Sequence, residues 1–274
     1  MTTPVTVVPL AFKDAAPGFR TVDLFHGELP LEPFLVFTEF HMSRAIFGPH
    51  PHAGMTVVTY MLPDSAGGFL NRDSFGDRSR IGPGAVHATQ AGAGIMHDEF
   101  PEPAGIDCHG MQIWINHADA DRFVPPKAMH ADGAAIPERE VGAHHVRVVL
   151  GAYGAAVSPI ALVTPVGLLD VTLRGATPFA LPDAATRFVY VLRGRVSVDG
   201  VSATAPALLI ADASAGSLAL TSESDDSQVL IASGTPHGEP IAHGGPFVGT
   251  TPAQISEMRR RFGSGAMGQL AAAG

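Results

Sequence analysis

Apolar residues come in short runs along this chain, and turn-forming residues close each run. Strand-like stretches cover residues 35–41, 55–62, 110–116, 146–150, 168–173, 188–192, 195–198, 207–211 and 228–232. Between them stand turn signals such as Pro63-Asp64, Gly82-Pro83-Gly84, Arg193-Gly194 and Asp199-Gly200. Strands this short and this regularly punctuated predict a sandwich or barrel, because βαβ units need longer crossovers.

A helical period appears near the C-terminus. Thr251 is placed to cap a helix with Pro252 at its first position, and Ile255, Met258 and Phe262 follow on one face. Arg259, Arg260 and Arg261 fall in the last turn, where they complement the helix dipole, and Gly263 can end it. The Ala/Gly-rich tail after Gly265 is expected to fray.

The strand pattern repeats once. Val58-Thr59-Tyr60-Met61-Leu62 resembles Phe188-Val189-Tyr190-Val191-Leu192, and setting Tyr60 on Tyr190 divides the chain into two similar β-units. The loop-like stretch 125–140 is the seam, so residues 1–130 and 131–274 are expected to form two domains. The alignment exposes an asymmetry. Where the first unit has His50 and His52, the second has Ala180 and Pro182.

Composition narrows the options. Apolar residues make up 46% and charged residues 16%, enough to fill a core, while 31 glycines and 23 prolines suit many turns. Net charge is −9 with no basic footprint beyond the three arginines, which argues against direct nucleic-acid binding. One cysteine, Cys108, excludes an intrachain disulfide and is expected to be a small buried residue. No signal-peptide pattern and no membrane-length apolar run is visible, so a cytoplasmic protein is expected.

Candidate chemistry lies in the spacing of histidines. His50-Pro51-His52 stands just before the 55–62 strand, and His97-Asp98-Glu99 repeats the spacing later. Residues at i and i+2 of an extended chain share a face, so each pair can converge on one point. Three neutral imidazoles and a carboxylate suit a first-row divalent metal, and four ligands leave positions open for catalysis. Other signals are weaker. Gly92-x-Gly94 reads as a turn that aims His97, since no helix follows. His117, Asp119 and Asp121 read as a solvated loop, and His87 either as a pocket residue or as an ordinary core or surface histidine. Gln112 and Trp114 share a strand face, with Gln112 on a pocket wall and Trp114 in the core.

These segments resemble the pirin family. Gly48-Pro-His-Pro-His-Ala-Gly-Met-Thr-Val-Val-Thr-Tyr60 is similar to its H-P-H signature, and Gly92-Ala-Gly-Ile-Met-His-Asp-Glu99 to its H-x-E segment. Gly110-Met-Gln-Ile-Trp-Ile-Asn116 resembles its L-Q-L-W-V-N strand. Asn71-Arg-Asp-Ser-Phe-Gly76, Gly82-Pro-Gly84, Gly238-Glu-Pro-Ile241 and Gly245-Pro-Phe-Val248 follow in family order. The resemblance implies an all-β chain of two stacked cupin (jelly-roll) barrels with a short C-terminal helix and one metal, held by the first barrel through His50, His52, His97 and Glu99. Iron(II) is the first candidate, with Mn, Ni, Co, Cu or Zn as alternatives. The implied activity is oxygenolytic cleavage of a flavonol such as quercetin with O2, Glu99 serving as general base. A second implied role is regulation of a protein partner, either a transcription factor or a metabolic enzyme. Three positions depart from the common pattern: Ala53 stands for arginine, Thr56 for glutamate and Asn71 for histidine.

Overall fold

The computed structural model describes residues 5–272. Two seven-stranded antiparallel sheets dominate it, and each is closed by a four-stranded sheet into a barrel. In the first large sheet the strands run Lys127–Ala131, Val86–Gln90, Met55–Met61, Cys108–Asn116, Phe34–Met42, Phe19–Phe25, Lys13–Ala16. In the second they run Val5–Pro9, Ala207–Ala211, Thr186–Arg193, Ser227–Gly234, Val166–Leu173, His144–Leu150, Glu138–Val141. The nine expected strands all form, with bounds shifted by one or two residues where cross-strand pairing extends them.

The repeat is structural. Met55–Met61 and Thr186–Arg193, which carry Tyr60 and Tyr190, occupy equivalent places in their sheets. The large sheets pack face to face, and alternation puts Phe37, Val58, Tyr60 and Ile113 of one against Leu168, Phe188, Tyr190 and Leu230 of the other. The two barrel interiors differ. The second is filled by aliphatic side chains, among them Val148, Val171, Val191, Val196 and Ile231. Phe179–Ala180 stands there in the place that His50–His52 holds in the first barrel.

The expected boundary near residue 130 does not sort the outer segments by barrel. Val5–Pro9 pairs with Ala207–Ala211 in the second sheet. The helix Pro252–Gly263, assigned by sequence to the second domain, instead packs on the first barrel, where Ile255 and Met258 cluster with Ala53, Phe247 and Met267. Thr251 caps it as expected, its hydroxyl accepting from the Gln254 N–H at 3.3 Å. Phe262 departs from the expected buried face and is 45% exposed.

The tail does not fray through its first turns. Met267 is fully buried, and its carbonyl accepts a 2.7 Å bond from the Ser74 hydroxyl. Arg72 donates to the Ala271 carbonyl at 3.1 Å. Arg261, expected only to complement the helix dipole, also donates through Nε to the Ala93 carbonyl at 2.8 Å.

Candidate metal centre

The strand His50–His52 pairs antiparallel with Ile95–Pro101, in a register that sets His50 opposite His97 and His52 opposite Ile95. Side chains two apart share a face, so His50, His52 and His97 converge. Their ring centroids are 4.8 to 5.0 Å apart, and one donor nitrogen from each lies within 4.8 Å of the others. The turn that aims His97 needs its glycines. Gly92 has φ +44° with the Val124 carbonyl where a Cβ would sit, and Gly94 has φ +119° with Met267 against it.

Two of the imidazoles, those of His52 and His97, are prepared as neutral donors. Neither nitrogen of His97 has a hydrogen-bond partner, nor does Nδ1 of His52, although both residues are buried. Buried polar atoms rarely stay unpaired without a reason. Burial, with His50 adding to it, pulls His52 down to about 3. Burial and the neighbouring histidines hold His97 well below the usual imidazole range. His50 donates through Nδ1 to the Gly48 carbonyl at 2.8 Å, which leaves Nε2 for the centre. These orphaned, deprotonated nitrogens fit a divalent transition metal.

Glu99 shares the face of His97 but stands beside the compact group, committed to a hydrogen-bond chain. The Thr59 hydroxyl donates to its Oε2 at 2.6 Å, and Gln112 donates to that hydroxyl oxygen at 2.9 Å. Burial raises the Glu99 carboxyl to about 7, with Thr59 and Gln112 opposing. Asp98 points the other way, to Arg72, as the alternation expected.

A cavity of about 550 Å3 opens onto this group. Phe19, Phe40, Phe47, Phe69 and Trp114 give it an aromatic wall, and Gln112 lines it as expected. Trp114 is no core residue: its indole stands edge-on to His52 at 5.0 Å and faces the cavity. His87 does not line the cavity. It is fully buried on the neighbouring strand, opposite Thr59 in register, with Asp77 at 4.0 Å and the His130 ring at 5.7 Å. The three unusual positions are packing positions here. Ala53 lies under the helix, Thr56 bonds His117 at 2.8 Å, and Asn71 donates to Asp77 at 2.7 Å. His117 is therefore buried, contrary to the solvated loop expected for it.

A second group, Glu39, His41 and His109, was not foreseen and brings donor atoms within 4.8 Å. Its rings are stacked at 4.0 Å and 11°, so their lone pairs run parallel. Glu39 is already engaged by His109 and by the Tyr190 hydroxyl, both at 2.7 Å. The group is a hydrogen-bonded network at the barrel boundary. Among the described residues, no helix is long and apolar enough to cross a membrane.

Comparison with known proteins agrees with this architecture. The family model described as Pirin matches residues 23–115, and that of the Pirin C-terminal cupin domain matches residues 168–268. Pirin-1 of Arabidopsis thaliana is 34% identical, over 82% of this chain and 79% of that protein. Pirin of Homo sapiens is 30% identical, over 83% and 80%. The crystal structure of a quercetin 2,3-dioxygenase from Acinetobacter baumannii has a TM-score of 0.85 at 27% identity, covering 98% of this chain and 100% of that one. Two cupin barrels, one lined with histidines and one filled with aliphatics, are thus joined by matches across both halves, and the chain belongs to the pirin family.

Proposed function

We propose that this chain is a metal-dependent dioxygenase of flavonol-type substrates, working at a single site in its first barrel. The observation that carries the reading is the placement of His50, His52, His97 and Glu99 at one end of an aromatic-walled cavity. The likeness to the Acinetobacter baumannii quercetin 2,3-dioxygenase supports it.

In this reading His50, His52 and His97 hold the metal, with Glu99 as the fourth group. A divalent metal there, iron(II) first among the candidates, would supply Lewis acidity and a path for electrons to O2. The chain's own residues do the rest. The phenylalanines and Trp114 take a planar ring and exclude water from it. Glu99, at about 7, is divided between acid and base near neutrality, which is where a general base works best. Its Oε2 is taken by Thr59, so Oε1 is the atom that accepts the proton of a substrate hydroxyl. Gln112 fixes Thr59, and Thr59 fixes the carboxylate.

The test is metal analysis of the purified protein, followed by turnover of a flavonol in air. Wild type should retain about one transition metal per chain and bleach the flavonol band, and His97→Ala should lose both. A protein that never retains a metal, or never bleaches the band after loading with Fe, Mn, Ni, Co or Cu, overturns the reading. Retained metal without turnover would favour the protein-partner role.

A further inference from the structure

Asp23 and Glu99 are the two carboxylates among the described residues that line the cavity. Glu99 belongs to the centre; Asp23 does not. It lies on the strand Phe19–Phe25, whose alternate residues Phe19, Thr21, Asp23 and Phe25 face the cavity. Its register partner is Thr38, and the partner of Thr38 on the next strand is Gln112. Two strand spacings separate Asp23 from Gln112, roughly 10 Å. That distance is comparable to the length of a planar molecule of two or three linked rings.

The carboxylate is fixed and only half satisfied. Thr21 donates to Oδ2 at 2.7 Å and Thr38 to Oδ1 at 3.0 Å. An ionised carboxylate offers about four acceptor sites, and the two threonines fill one on each oxygen. No Lys, Arg or His pairs with Asp23 among the described residues. A charge among phenylalanines costs stability, and valine or threonine would pack the same wall without that cost. The arrangement makes sense when something in the cavity donates to it.

Building on the reading above, we infer that Asp23 is a second recognition point, which accepts a hydrogen bond from a hydroxyl on the far ring of a planar polyphenol. The near hydroxyl of that ligand sits beside Glu99. The site therefore selects polyhydroxylated rings over bare ones, because a ligand without the far hydroxyl leaves a half-buried carboxylate unpaired. Asp23 is a specificity-determining residue in this scheme and takes no part in the chemistry.

Trp114 makes this measurable without turnover, since it is the single tryptophan of the chain and faces the cavity. Quenching of its fluorescence is titrated with quercetin and with unsubstituted flavonol, using metal-loaded protein kept free of oxygen. Wild type should bind quercetin about tenfold or more tightly than flavonol. Asp23→Ala should bring the two affinities together by weakening quercetin alone. Asp23→Asn, close in shape and still able to meet both threonines, should narrow the gap without closing it, as a neutral acceptor is weaker. Equal wild-type affinities, or equal losses for both ligands, overturn the Asp23 subsite and leave the proposed function standing. Quenching by neither ligand overturns both.

Discussion

Tyr60 of the first barrel donates its hydroxyl to Asp170 of the second at 2.7 Å. Its repeat mate Tyr190 returns the contact, donating to Glu39 at 2.7 Å. Each hydrogen bond buries a carboxylate inside the apolar layer between the sheets, so the two repeats are tied by a reciprocal pair. Burial raises Asp170, with Gln228 and Tyr60 opposing. Tyr60→Phe keeps the ring and removes the donor. It should cost about 1–3 kcal/mol of unfolding free energy in urea, the penalty for an under-satisfied buried acceptor. Tyr190→Phe should cost a similar amount, because each carboxylate keeps one other donor, Gln228 on Asp170 and His109 on Glu39.

Thr59→Val takes the donor from Glu99 and the acceptor from Gln112. The hydroxyl holds the Glu99 carboxyl down against burial, so its loss should push the carboxyl above about 7. Since the base form is needed, the rising limb of a pH–rate profile should move to higher pH. An unmoved limb would mean that Glu99 is not the base.

His87 is buried and pulled down to about 4, chiefly by desolvation. A histidine with a lowered folded pKa binds its proton more readily when unfolded. Stability is therefore lost as pH falls from about 6.5 towards about 4 and is constant above that window. His87→Leu should flatten this acid slope in a series of melting temperatures, an effect on the order of 3 kcal/mol at the acid end. The metal-loaded and metal-free proteins should both show the flattening.

Met267 fills the space over Gly94, whose Cβ position it occupies to within 2.5 Å. Ser74 holds the segment by donating to the Met267 carbonyl while accepting from the Met96 N–H, one residue from His97. Met267→Ala should cost about 2–3 kcal/mol as a buried truncation. Metal affinity should fall as well, because the strand carrying His97 loses its cover; dialysis against a chelator would measure both wild type and variant.

Much of this was legible in the sequence, for physical reasons. Short apolar runs closed by Pro and Gly can only be strands, and i, i+2 spacing forces His50 with His52 onto one face whatever the partner. The register that sets His50 against His97 was not readable, because it depends on pairing between distant strands. The surroundings of His87 were hidden for the same reason: nothing local says that Asp77 would come to 4.0 Å from it. The Ala/Gly composition of the tail concealed Met267, although Gly94 was the visible half of that contact. Glu39 and Asp170 stood in plain view as lone charges inside the apolar strands Phe34–Met42 and Val166–Leu173. What they bonded to became readable only once the two sheets were known to face each other.

The crossing of the outer segments sets how this molecule can be divided. A gene fragment ending near residue 130 would encode the histidines without the helix that shields Ala53, and would carry Val5–Pro9 with no sheet to join. The complementary fragment would expose the edge of Ala207–Ala211 and hold a helix with nothing beneath it. Neither piece is a minimal unit, so dissecting the activity calls for point substitutions in the intact chain.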